Sequence, residues 1–371
     1  MNVVFRSGDN GYHTYRIPAI IKDPKGILMA FCEGRKKGSG DFGNIDIVMR
    51  KSNDDGVTWS DLKVIVDAGE LQAGNPAPVV DMLDPRFPSG RIFLFYNTGN
   101  NHENEIRKGN GIREVWYKTS IDGGETWSEP VNITLQVHFP FLKISDSVQQ
   151  GNNSHQISKW RSYANTPGHG IQLMKKPYEG RIYIAANHSE GEPQKDFSDY
   201  QAHGFYSDDH GTSFRVSSSV SILGSNESTA VELIDGRLMM NSRNQRGDVK
   251  NRIVSISSNG GETWDTSYFD QQLPDPVNEG SILQLGLQKK RQALAFCNAA
   301  NETKRDTLTL RISYDDGRSW SEKILIDQNN IQDYNDFTAY SDLVQLNQRV
   351  VGILYERDNY KEIVFKKQKW H

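Results

Sequence analysis

Two cysteines in 371 residues, Cys32 and Cys297, are too few for a disulfide framework, and neither stands in a metal-ligand spacing. The nine histidines form no His-Glu-x-x-His pattern; His155, His169, His188 and His203 read best as structural residues. No run approaches the roughly 18 consecutive apolar residues of a membrane-spanning helix. Helical amphipathic periodicity is hard to find anywhere along the chain. There is no Gly-x-Gly-x-x-Gly fingerprint, no P-loop and no nucleophile-elbow serine, so nucleotide binding and serine-hydrolase chemistry have no anchor. A net charge of −4 supplies no bulk attraction to nucleic acid or to an anionic membrane. Positive charge used on a ligand must be gathered locally.

What the chain does contain is one short stretch used five times. Ser120-Ile121-Asp122-Gly123-Gly124-Glu125-Thr126-Trp127 is its cleanest copy. The pattern Ser-x-Asp-x-Gly-x-x-Trp recurs from Ser52 to Trp59 and from Ser313 to Trp320. Looser copies run from Ser207 to Phe214 and from Ser257 to Trp264, with Phe in place of Trp once and Asn in place of Asp once. Short polar side chains bond backbone amides in tight turns, and Gly supplies the positive φ. The terminal aromatic can then bury its ring between sheets. Such a turn is an architectural staple, and chemistry has to be sought elsewhere.

Between the copies lie apolar or alternating runs of four to seven residues, bounded by Gly, Asn, Asp or Pro. Examples are Tyr15 to Ile21, Ile27 to Glu33, Arg91 to Tyr96, Arg181 to Ala186 and Val350 to Tyr355. Strand-and-turn repeats at such intervals predict an all-β, six-bladed β-propeller of four-stranded antiparallel blades. Six blades of four strands, at about 15 residues per strand with its turn, use about 360 residues. Residues 1–371 are therefore expected to be one domain, without room for an inserted lectin domain. The polar stretch from Gln136 to Gly170 fits the rhythm worst and is expected to be an extended loop between blades.

Arg16 sits inside the apolar strand Tyr15-Arg16-Ile17-Pro18, and Arg243 and Arg311 are similarly placed in later repeats. Singly, each reads as a structural or exposed arginine. Three at comparable points around one axis can converge on one anion, and planar guanidinium groups suit a carboxylate. Tyr-Arg-Ile-Pro near the start, the repeated boxes, and an Arg just before a box resemble the bacterial and animal Asp-box sialidases, glycoside hydrolase family 33, over essentially the whole chain. The resemblance implies that Arg16, Arg243 and Arg311 hold the sialic acid carboxylate. It implies that Glu356, in Leu354-Tyr355-Glu356-Arg357, supports the first arginine, and that Arg35, in Phe31-Cys32-Glu33-Gly34-Arg35, is a fourth.

By the same resemblance Asp41 matches the acid/base, Tyr340 the nucleophile and Glu227 the partner of that nucleophile. Without it, Asp41 would read as a loop cap, Tyr340 as core packing, and Asp46, the nearest rival carboxylate, as part of a strand. Asn75-Pro76-Ala77-Pro78 and Asn278-Glu279-Gly280-Ser281 resemble loops near the family's active face, or simply shape loops. The residue types suit the substrate. Sialic acid carries a carboxylate on its anomeric carbon, which a carboxylate nucleophile would meet head-on and a neutral phenol does not; sialidases are known exceptions to the two-carboxylate rule. A phenol with pKa near 10 needs a base to take its proton.

The expected activity is that of a retaining exo-α-sialidase on sialylated oligosaccharides, glycoproteins or glycolipids, without metal or organic cofactor, nucleic acid or membrane span. Alternatives on the same fold are a trans-sialidase, an anhydro-forming enzyme, a hydrolase of a related nonulosonic acid, and a non-catalytic glycan-binding propeller. Localisation carries two expectations: secreted or periplasmic if a leader was removed ahead of Met1, cytoplasmic if Met1 is the native start.

Overall fold

Each box folds as its sequence predicts. The serine Oγ accepts the glycine amide at 2.7–2.9 Å in all five, Ser52 to Gly56, Ser120 to Gly124, Ser207 to Gly211, Ser257 to Gly261 and Ser313 to Gly317. The Asp or Asn that follows caps the amide four residues on, as Asp54 does for Thr58 and Asn259 for Thr263. The aromatic then leaves its own turn and meets the sheet before it. Trp59 lies edge-on to Phe365 at 5.5 Å, Trp127 to Phe31 at 6.1 Å and Phe214 to Phe95 at 5.6 Å. Trp264 Nε1 donates to the Ser218 carbonyl at 2.9 Å. The staple therefore joins neighbouring sheets as well as closing a turn.

The computed structural model describes residues 1–139, 160–286, 292–329 and 336–370. The core of the loop expected at 136–170, with His155, lies outside them. The described residues form an all-β, propeller-like arrangement of four-stranded antiparallel meanders. Ser225–Glu232, Leu238–Asn244, Asn251–Ser257 and Thr266–Pro274 make one meander, and Gly280–Gly286, Gln292–Ala299, Leu308–Ser313 and Glu322–Asp327 the next. A third lies within residues 160–216 and carries one extra short strand. Thr338–Asn347, Val350–Arg357 and Glu362–Lys369 are completed by Asn2–Arg6, so both ends of the chain share a sheet. The expectation of six separate sheets is met only in part. Residues 14–66 and 72–132 form two meanders that count as one eight-stranded sheet, joined by a single parallel pair, Ile45 with Gln72.

Burial falls from axis to rim. The second strands Leu28–Arg35 and Leu238–Asn244 are buried at every residue, whereas the outer strand Glu322–Asp327 alternates. The innermost strands pack on one another around the axis, Thr14–Lys22 against Thr338–Asn347 and that strand against Gly280–Gly286. Asp342, fully buried there, accepts the Ile20 amide and the Ser281 hydroxyl at 2.8 Å each and meets His169 Nδ1 at 2.7 Å, tying separate sheets together.

Five of these innermost strands break step near their starts, Trp160–Asn165 at Arg161-Ser162 and four more beside one cavity. In Thr14–Lys22 the bulge falls on Ile17-Pro18, in Gln72–Asp81 on Asn75-Pro76, in Ser225–Glu232 on Asn226-Glu227, and in Thr338–Asn347 on Ala339-Tyr340. A bulge re-aims side chains, and proline is tolerated there because no ladder donor is lost. Ile17 (φ 60°) and Asn75 (φ 53°) are held in the left-handed region, which is strained for a β-branched residue such as Ile17. These four bulges lie at the end of the molecule opposite the boxes. No described helix is long and apolar enough to cross a membrane.

Candidate active site

The bulged ends surround a cavity of about 400 Å³. Arg16, Arg35, Asp41, Glu227, Arg243 and Tyr340 all line it. They come from starts of innermost strands, ends of second strands, and the loop after Leu28–Arg35. Six arginines face four carboxylates in this lining, so a chain of net negative charge presents an electropositive pocket.

At its floor the Tyr340 hydroxyl donates to Glu227, with Oε1 at 2.6 Å and Oε2 at 2.7 Å. Arg243 Nη1 donates to the same phenol oxygen at 2.8 Å and to Glu227 Oε2 at 2.7 Å. Local register explains the trio: the bulge Asn226-Glu227 lies directly opposite Arg243 on the adjoining strand. Burial and the Glu227 charge push the Tyr340 phenol well above its ordinary value, against the pull of Arg243, Arg305 and Arg16. The phenol is therefore neutral at rest, with a carboxylate positioned to take its proton and a guanidinium to steady the oxygen that remains.

Glu356, wholly buried, grips Arg16. Its Oε1 accepts from Arg16 Nε at 2.7 Å and from the Ile17 amide at 2.8 Å, and its Oε2 accepts the Tyr340 amide at 3.2 Å. One carboxylate thus fixes a pocket arginine and the backbone of the tyrosine. The Arg16 guanidinium also lies over the rings of Tyr360 at 4.1 Å and Tyr340 at 5.3 Å. Arg35 is paired with Glu33 through Nη2 at 2.6 Å and with Asp41 through Nη1 at 2.8 Å. Asp41 stands at the mouth with its side chain 74% exposed. What enclosure the mouth gives pushes its carboxyl up, but Arg35, Arg16 and Arg113 outweigh that and hold it below the usual carboxylate value.

Arg311 is a correction. It does not line the cavity; Nη1 donates to Asn298 Oδ1 at 3.0 Å inside its own sheet. It lies three residues into Leu308–Ser313, about 10 Å along a strand running from the pocket toward the box turn. Arg305, on the loop before that strand, does line the cavity. Its Nη1 donates to the Tyr360 hydroxyl at 3.0 Å, and its guanidinium lies 5.6 Å from the centre of the Tyr340 ring. Nothing apolar surrounds Arg305 in Asn301 to Asp306, so a search for charge inside strands passes over it. The signal available was positional, an arginine between the second and third strands of a repeat. Glu33 and Tyr360 were missed for the same reason, since their roles depend on partners outside their own segments.

The rim opposite Tyr340 is partly aromatic. Phe42 meets His102 at 4.9 Å between ring centres, and Phe197 and Tyr200 flank Arg107, which is paired with Asp199 at 2.8 Å. His188 and His203 pack against each other and Trp160 away from this lining.

The family described as BNR repeat-like domain matches residues 26–354. A sialidase of Micromonospora viridifaciens is 31% identical over 94% of this chain, and the chain spans about half (51%) of that relative's length. An exo-alpha-sialidase of Arthroderma benhamiae is 27% identical over 95% of the chain and 80% of its own length. Among solved structures, a Hadza microbial sialidase superposes with a TM-score of 0.78 at 24% identity, covering 98% of this chain and 67% of the other. A leech intramolecular trans-sialidase gives 0.74 at 16% identity, covering 99% and 70%. At these identities the structural likeness speaks to fold alone.

Proposed function

The chain belongs to the BNR repeat-like domain family, within the sialidase group of glycoside hydrolases, and from that premise we propose that it is a retaining exo-α-sialidase working through a covalent tyrosyl intermediate. The observation that carries the reading is the Tyr340 hydroxyl bonded to both oxygens of Glu227 beside Arg243. In this reading Arg16, Arg243 and Arg305 receive the substrate carboxylate. Glu227 takes the phenol proton as Tyr340 Oη bonds to the anomeric carbon, while the glycosidic bond breaks and Asp41 protonates the departing oxygen. Asp41 then deprotonates a water that attacks the same carbon, and Tyr340 leaves and recovers its proton. Two displacements on one carbon give retention. Arg35, Arg16 and Arg113 hold the Asp41 carboxyl below its usual value, and a substrate carboxylate bound by Arg16 would offset that pull and let Asp41 carry the proton it donates.

The substrates proposed are terminal sialic acids of oligosaccharides, glycoproteins or glycolipids. The fold belonging with this reading is a six-bladed propeller, counting the eight-stranded sheet as two blades sharing one parallel pair. The test is proton NMR of a sialyllactose digest. Early α-anomer of free sialic acid, later mutarotating, is the expected result. An anhydro product or transferred sialic acid would replace hydrolysis by transfer on the same site. No turnover of any sialoside by folded protein would leave a glycan-binding propeller.

A further inference from the structure

Asn278 and Glu279 open the strand Gly280–Gly286 and have no part in the chemistry above. Both are buried, and neither lines the cavity. Their side chains converge instead on the bulge that carries Tyr340. Asn278 Nδ2 donates to the Ala339 carbonyl at 3.0 Å, and Glu279 Oε2 accepts the Ser341 amide at 2.8 Å. Together with the Glu356 contact to the Tyr340 amide, these hold the peptide units on both sides of Tyr340.

The need for such contacts follows from the bulge. Ala339 and Tyr340 share one opposing residue, so the regular ladder cannot pair all their backbone groups. A buried peptide group left unpaired is costly, and a bulge with slack would let its side chain move. The same device recurs at two of the other bulges. Glu356 Oε1 takes the Ile17 amide, and Glu33 Oε1 takes the Asn75 amide at 2.9 Å. There the acceptor comes from the end of a second strand. At Tyr340 two further groups are supplied from the head of a neighbouring innermost strand, making this the most heavily braced of the three.

We propose that Asn278 and Glu279 are positioning residues for Tyr340, fixing its two peptide units so that the phenol oxygen stays between Glu227 and Arg243. The proposal rests on the reading of Tyr340 as nucleophile. It separates two effects: a loosened nucleophile lowers the rate of bond formation, while Arg16 and Arg305 still hold the substrate carboxylate. A misplacement of about 1 Å at a reacting atom can cost on the order of 10²-fold. Glutamine keeps the oxygen that accepts the Ser341 amide, and burial, opposed by that amide and by Arg252, pushes the Glu279 carboxyl well above its usual value.

The test compares Glu279→Met, which keeps length but removes the acceptor, with Glu279→Gln, which keeps the acceptor. Both are assayed on an aryl sialoside. Competent sites are counted with a sialosyl fluoride bearing a second fluorine at C3, which leaves a slowly released tyrosyl adduct, so partial misfolding cannot imitate a slower site. The methionine variant should lose about 10- to 100-fold in kcat per competent site with KM within about threefold. The glutamine variant should stay within about threefold of the parent on both. A methionine variant with unchanged kcat per site, or a glutamine variant as impaired as methionine, overturns the proposal. If Glu279→Met does not fold, Asn278→Ala is read by the same kcat and KM criteria. A parent protein inactive on every sialoside removes the nucleophile reading and this proposal together. Activity that needs Tyr340 and ignores both Glu279→Met and Asn278→Ala removes the proposal alone.

Discussion

The two ends of the sheets are built on opposite principles. At one end every box closes on itself: serine, aspartate or asparagine, and glycine satisfy one another within eight residues, and the aromatic reaches outward to a neighbouring sheet. At the other end the bulges leave backbone groups open, and side chains far away in sequence close them. Glu356 meets Arg16 across 340 positions, and Glu227 meets Tyr340 across 113. The box end is local, repetitive and tolerant of one Asn or one Phe. The pocket end is non-local, and its groups share partners, as Tyr340 and Arg243 share Glu227. Arg305 and Arg311 show the contrast within six residues: the first faces the cavity, the second is absorbed into its sheet.

The sharpest test of that division is at the floor of the pocket. Tyr340→Phe should lower kcat on sialosides by on the order of 10³-fold or more, with the fold intact by circular dichroism, because the ring still packs and only the nucleophilic oxygen is lost. Arg305→Ala should weaken substrate by about 10²-fold in kcat/KM, with sialic acid affinity by calorimetry falling alongside. Arg311→Ala should leave sialic acid affinity within about threefold while lowering the melting temperature, and the reverse pattern would return the clamp to Arg311.

A smaller effect is expected at the mouth. Since Asp41 is held below the usual carboxylate value, its protonated form is scarce at neutral pH and grows as pH falls. The kcat/KM for sialyllactose, whose leaving group needs a proton, should therefore rise as pH is lowered from 7 toward 5. Asp41→Asn should flatten that rise, and should matter less for an aryl sialoside with a good leaving group. A profile identical in parent and variant would remove Asp41 as the acid.

The smallest change is expected among the boxes. The Thr126 hydroxyl and amide bonds hold the Asp122 carboxyl down to about 2. A carboxylate depressed on folding stabilises the native state above its unfolded value near 4, and that stability is lost as pH falls toward 2. Asp122→Ala should lower the melting temperature by about 2–4 °C at pH 7, less in acid, with kcat and KM unchanged. A catalytic defect there would break the separation of the two ends.

Much of the molecule was legible in advance where its physics is short-ranged. The five turns, the all-β rhythm and the arginine of Tyr-Arg-Ile-Pro are set by contacts within a few residues, or by a spacing that survives in sequence. Asp41, Glu227 and Tyr340 were singled out through resemblance, because a lone Tyr or a loop Asp carries no local mark of its task. What the tertiary structure decided was direction. Along a strand the side-chain period is two, and one bulged residue turns everything beyond it to another face. Whether an arginine lines a cavity therefore depends on register and on which end of its strand it occupies. Those are fixed by pairing between distant segments, which is why Arg305 stands in the pocket and Arg311 does not.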